Sequence, residues 1–103
     1  MKTKTANVTH SAEVTTLTLP IVHLGGTSAR TLTDDYCRAL RAILDARTVL
    51  SNVEFNARDY DCSPNPGAWL EARQQHHARL MSLDVIAGEL EVIAQHTSEF
   101  VRA

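Results

Sequence analysis

The spacing of hydrophobic residues changes three times along the chain. Residues 1–12 (MKTKTANVTHSA) show no period and read as a flexible N-terminal arm. Glu13 to Leu19 alternates Val14, Leu17 and Leu19 with threonines, the pattern of a short strand that Pro20 ends. A lone strand cannot form a sheet, and the expected partner is the same strand of another copy.

From about Ala29 to Val53 the period becomes helical. Leu32, Tyr36, Ala39, Leu40, Ile43, Ala46, Leu50 and Val53 recur in steps of three and four, forming one apolar stripe on a helix roughly 37 Å long. Thr27 or Ser28 can cap it, and Asp34 and Asp35 fall in its early turns, near the positive end of the helix dipole. Glu54 to Pro66 breaks the pattern. A second helix reads from about Pro66 to His96 and on toward Phe100, with Asn65 as its cap and Pro66 in its first turn. Its stripe is Trp69, Ala72, His76, Leu80, Leu83, Ala87, Leu90 and Ala94, with Ile86 and Ile93 beside it.

The expected fold is therefore mainly α: an antiparallel two-helix hairpin over residues 13–103, preceded by the arm and a short strand. Val85, Ile86, Val92, Ile93, Phe100 and Val101 offer more apolar surface than one partner helix can cover. This predicts a homo-oligomer.

Composition narrows the function by exclusion. A 103-residue chain allows one small domain, and 44% apolar with 21% charged residues is ordinary globular usage. The net charge of -2 lacks the basic field of a protein that coats nucleic acid polymers. No apolar run approaches the roughly 20 residues that cross a membrane, and the basic start is not followed by a signal-peptide core. Two cysteines, Cys37 and Cys62, are too few for a disulfide scaffold and read as reduced thiols. Beyond Lys4 every basic residue is arginine. A GC-rich coding genome explains this, and guanidinium forks also suit bidentate contacts to phosphate.

Catalysis finds little support. Nucleophile-elbow, Walker, His-Glu-x-x-His and Cys-x-x-Cys motifs are all missing from the sequence. His76 and His77 are adjacent and project about 100° apart, so they cannot grip one metal together. Asp59 and Asp61 near Cys62 would raise a thiol pKa rather than activate it. No enzyme activity, cofactor or metal is expected.

Two polar segments stand out instead. His23-Leu24-Gly25-Gly26-Thr27-Ser28, with Arg30, sets pliable backbone, hydroxyls and a cation at a helix start, where an anion such as phosphate fits; an ordinary capped turn is the alternative. Asn56-Ala57-Arg58-Asp59-Tyr60-Asp61 lies in a connection of about a dozen residues, longer than the 2–8 or so a helical hairpin needs. There Arg58 can take phosphate, Tyr60 or Phe55 can stack on a base, and Asn56 or Asp59 can bond ribose or base edges. The alternative is an internally bonded loop with Arg58 paired to Asp59 or Asp61. The two segments lie at opposite ends of helix one, so a single small ligand meets both only between chains packed head to tail.

These segments resemble a family of small tailed-phage proteins, in which a His-Leu-Asn-Gly-Thr-Ser turn opens helix one and an Asn-Gly-Arg-Asp-Tyr-Tyr segment precedes helix two. The likeness spans about residues 20–97. Gly25 stands for the Asn, Ala57 for the Gly and Asp61 for the second Tyr, which removes one ring from any double stack. The resemblance implies a phage protein acting in the cytoplasm of an infected bacterium. By analogy with anti-defence sponges, it implies sequestration, without cleavage, of a nucleotide immune signal such as a cyclic ADP-ribose isomer of a Thoeris system or a cyclic dinucleotide. The ligand-binding candidates are Arg58, Tyr60, Asn56, Asp59, Thr27, Ser28, His23 and Gly26. The competing expectations are a phage adaptor that binds a protein partner through its helix faces and a phosphodiesterase-like or nucleotidase enzyme.

Overall fold

The structure, a computed structural model, describes residues 4–10 and 13–101, with side chains from Thr16 onward. The element order is β1 (Lys4–His10), β2 (Glu13–Leu19), α1 (Ala29–Ser51), a single 3-10 turn at Ala57–Asp59, and α2 (Ala68–Ser98). The two helices pack on each other and the two strands form a small sheet that touches α2. The molecule is a rod of 61 × 24 × 18 Å.

In place of the flexible arm expected over 1–12, Lys4–His10 form a strand. It pairs antiparallel with β2 in a register from Lys4 opposite Leu19 to His10 opposite Glu13. The strand partner expected from another copy is thus supplied within the chain. The physical reason is proximity: closing two neighbouring segments costs far less entropy than recruiting a second molecule. Val8 is the one large apolar residue of β1, so the alternation that marks β2 is not visible there. In β2 the alternation holds: Leu19 is buried and Leu17 half-buried, while Thr16 and Thr18 face solvent.

Helix α1 begins where the sequence suggested. Ser28 is its N-cap, accepting from the Thr31 N–H at 3.1 Å. Asp34 and Asp35 lie beyond the first turn, which carries no acidic residue, and Asp35 instead pairs with Arg38. The helix ends at Ser51, two residues short of Val53, with Asn52 at the C-cap. Ala39 and Ala46, expected on the inner stripe, are exposed, whereas Arg47 is half-buried and reaches across to Asp84. An alanine at a stripe margin contributes little apolar area, so the longer arginine stem takes the inward place.

Helix α2 starts at Ala68 rather than Pro66. Asn65 does not cap it directly but organises the entry: its Oδ1 accepts from the Gly67 N–H at 2.9 Å and its Nδ2 donates to Glu71 at 2.9 Å. The expected stripe from Trp69 to Ala94 does face inward, with Ala87 and Ala94 buried and the rest half-buried.

Three polar ties fix the register between elements. Thr33 and Thr97 hydroxyls meet at 2.7 Å, and Thr97 is fully enclosed (0% exposed). Arg47 holds Asp84 through Nε at 2.9 Å and Nη2 at 3.4 Å. The His96 ring donates from Nε2 to the Pro20 carbonyl at 2.9 Å, anchoring the strand exit on α2. Thr33 opposite Thr97 and Arg47 opposite Asp84 mean the helices run antiparallel. The same register places Ser51, the last residue of α1, opposite about Leu80. With α2 beginning at Ala68, that register makes its first three turns or so, residues 68–79, project beyond α1.

Among the described residues the buried apolar set is small: Leu19, Ala29, Ala87 and Ala94. Leu24, Leu44, Val49, Val53, Leu70, Ile86 and Phe100 are exposed.

Candidate functional site

The projecting turns of α2 explain why the connection between the helices is long. The chain leaves α1 at Asn52 and must travel back past about 18 Å of uncovered helix before α2 can begin. It covers part of that surface with Phe55 and Tyr60. The Phe55 ring lies 5.0 Å from Trp69 and 4.6 Å from His76, centroid to centroid, and meets Tyr60 edge-on at 5.8 Å. Tyr60 also approaches Trp69 at 5.7 Å. Four rings from two segments thus form one cluster, in the tilted and edge-on arrangements that aromatic quadrupoles favour.

The loop around the cluster is held by its own backbone. Asp59 N–H donates to Asn56 O at 3.1 Å, Tyr60 N–H to Ala57 O at 2.9 Å and Ser63 N–H to Tyr60 O at 3.2 Å. The Asn56 amide sits 3.5 Å from Glu54, at the limit of a hydrogen bond. Arg58 and Asp59 are exposed, and the Arg58–Asp59 or Arg58–Asp61 pairing offered as an alternative for this loop does not form. Tyr60 is half-buried and acts as a wall of the ring cluster.

Beside the cluster lies an open groove of about 430 Å³, lined by Phe55, Trp69, Leu70, Arg73, Gln74, His76, His77 and Leu80. The Arg73 guanidinium stands 5.7 Å from the Trp69 ring centroid, a cation–π distance. Arg73 makes no ion pair among the described residues. The lining thus combines aromatic and aliphatic surface with a guanidinium, an amide and two imidazoles.

At the other end of the rod the turn that opens α1 is differently arranged. The His23 ring folds back over the glycines: its Nδ1 accepts from the Gly25 N–H at 3.2 Å, and a Cβ on Gly26 would come within 2.9 Å of its Nε2. The Gly26 N–H donates to the His23 carbonyl at 3.1 Å. Both glycine N–H groups proposed as anion donors are thus committed inside the turn. Ser28 is committed as the cap and also donates to the Thr31 hydroxyl at 2.9 Å. Thr27 and Arg30 are exposed. A second hollow of about 470 Å³ lies here, lined by Val22, His23, Leu24, Gly26, Ser28, Ala29 and Phe100. Its lining holds no arginine or lysine.

The structure thus gathers Asn56, Arg58, Asp59 and Tyr60 at one end and His23, Gly26, Thr27 and Ser28 at the other, separated by the ~35 Å length of α1. Trp69, Arg73, Gln74 and His77 were not among the candidates read from the sequence. The signal was present in their spacing. Trp69, Arg73 and His77 recur every four residues, which sets a ring, a guanidinium and an imidazole along one line of helix surface.

Among the described residues no group of three or more His, Cys, Asp or Glu side chains is placed to hold a metal ion, and no helix is long and apolar enough to cross a membrane. Cys37 and Cys62 are exposed free thiols. No family model, curated protein or solved structure matches the chain.

Proposed function

We propose that this protein is a non-catalytic binding protein that sequesters a nucleotide-derived immune signal, a cyclic ADP-ribose isomer or a cyclic dinucleotide, in the cytoplasm of an infected bacterium. The observation that carries the reading is the open groove at the loop end, whose lining brings aromatic rings and the Arg73 cation together. Such a surface suits a ligand that is planar in one part and anionic in another. Its size falls within the ~300–1,000 Å³ usual for small-molecule sites. The phage setting comes from the resemblance of residues 20–97 to the small tailed-phage family. Arg58, exposed and without an ion pair, sits on the loop that walls the ring cluster and is available to a second phosphate or to a neighbouring copy.

Self-association belongs to the same reading. Among the described residues, four buried apolar side chains beside seven exposed large ones support a homo-oligomer that covers the remaining helix faces.

The test is capture. Purified protein is incubated with extract from infected, defence-activated cells, repurified and heat-denatured, and the released small molecules are identified by mass spectrometry. An intact cyclic nucleotide is the expected product. A linearised one would mean cleavage, and no enrichment across several signal types would defeat the proposal.

A second reading is favoured by one specific observation. Leu24 projects wholly into solvent from the strand-end turn, and Leu44, Val49 and Val53 line the outside of α1 and its exit. These suit an adaptor that binds a protein partner through its helix faces. Pull-down of one defined host or virion protein, abolished by Leu24→Ser and Val49→Ser together, would support the adaptor over the sponge.

A further inference from the structure

We infer that the projecting turns of α2 with Phe55, rather than the Asn56–Asp61 segment, form the main ligand contact, and that the groove takes a nucleoside phosphate with its base against Phe55, Trp69 and His76 and its phosphate on Arg73 and His77. This rests on the nucleotide-binding reading above and assigns its site.

Three observations converge. The first is where the rings lie: Phe55 packs at 5.0 Å on Trp69 and 4.6 Å on His76, tilted by 48° and 33°, and all three side chains line the groove. A planar base finds in such a cluster further ring edges and faces to pack against. The second is the position of the cation. Arg73 lies one helical turn from Trp69 on the same face, close enough to sit over its ring in the free protein. A guanidinium there has no carboxylate to release, so turning its fork outward onto a phosphate breaks no ion pair. His77 follows Arg73 by a further turn, and Gln74 lies beside them; both offer N–H donors to phosphate oxygens or ribose hydroxyls.

The third observation is geometric. Residues 68–79 lie beyond the end of α1, so no other α-helix among the described residues covers this face. The Tyr60 ring is occupied edge-on by Phe55 and the loop backbone is bonded to itself, which leaves Arg58 peripheral to the groove rather than within it. Rigid placement on a helix suits a pocket that must exist before its ligand arrives.

The experiment uses a property of the chain itself: Trp69 is its single tryptophan, so intrinsic emission reports the groove directly. The full-length protein is titrated with AMP, with ADP-ribose, with adenosine and with ribose 5-phosphate. AMP and ADP-ribose should each cause a saturable change in Trp69 emission. Adenosine should bind about tenfold more weakly or worse, and ribose 5-phosphate should leave the emission unchanged. Arg73→Gln should cost about tenfold or more in AMP affinity while leaving adenosine affinity near that of the wild type. Phe55→Leu should weaken both ligands, and Arg58→Gln should cost less AMP affinity than Arg73→Gln does. Circular dichroism of each variant separates loss of binding from loss of fold, and Arg73→Lys provides a second variant that keeps the charge but not the fork.

No saturable change with either AMP or ADP-ribose overturns the inference. So does a folded Arg73→Gln protein that binds AMP as the wild type does, or a loss that follows Arg58 instead. The outcome stays separable from the sequestration proposal. If AMP binds through Arg73 while infected extract yields no nucleotide, the groove assignment stands and sequestration fails. If a nucleotide is captured equally well by Arg73→Gln, sequestration stands and this assignment fails.

Discussion

The two ends of the rod are built from the same kinds of residue used in opposite ways. At the strand end, polar groups are spent on the fold: Ser28 caps α1, the His23 ring is bonded to Gly25, and His96 holds the Pro20 carbonyl. At the loop end, four rings pack together, yet Arg58 and Arg73 make no ion pair among the described residues. The first end is a joint, where donors and acceptors meet inside one chain. The second is a surface, where rings are held in place by neighbours and two arginines have no carboxylate partner among the described residues. A histidine-glycine turn that looks like an anion cradle in sequence is therefore the poorer binding candidate, because its glycine N–H groups and the Ser28 hydroxyl already have partners.

This contrast can be broken in order of expected effect. Trp69→Ala removes the centre of the ring cluster and should cost about 2 kcal/mol of stability, less than a fully buried tryptophan would. A urea titration would read it, and nucleotide binding should be lost in the same protein. At the joint, Thr97→Val keeps the volume but leaves the Thr33 hydroxyl without its partner, with an expected loss of about 1–2 kcal/mol in the same titration and no change in binding. Ser28→Ala should cost about 1 kcal/mol through the lost cap, again with binding intact. A nucleotide affinity that fell with Ser28→Ala would contradict the division of roles between the ends.

The smallest effect is expected between the ends. The hydrogen bond to Asp84, and then its negative charge, raise the Arg47 pKa, so the guanidinium stays charged at all ordinary pH. A raised arginine pKa gives a contribution present throughout the range below the ordinary arginine value and lost only as pH climbs beyond it. Both side chains are more than a third exposed, and water screens the pair. Arg47→Met should therefore shift the thermal midpoint only slightly, and the difference from wild type should shrink as salt is added.

Much of the fold is legible in the sequence. The inner faces of both helices follow from steps of three and four, and the Ser28 cap and the breaks near residues 20 and 54 follow from local chemistry. The misses have a common cause. Lys4–His10 carries too few apolar residues to announce a strand, and it becomes one because β2 lies beside it. Ala46 and Arg47 exchange their expected places because Asp84 waits on the other helix. The length of the connection from Glu54 to Pro66 is legible in the sequence, but Trp69, Arg73 and His77, which line the groove beside it, were assigned to packing or passed over.

What the sequence determined by itself is periodicity and local bonding: where helices run, which side of each is apolar, which residue caps. These depend on neighbours a few positions away, and the spacing of residue types encodes them. Only the tertiary structure decided the register between α1 and α2, through Thr33 with Thr97 and Arg47 with Asp84. That register leaves residues 68–79 without a helical partner, brings Phe55 onto Trp69 and His76, and so creates the groove. A groove formed by offset depends on contacts between residues tens of positions apart, and no local pattern in the chain records such an offset.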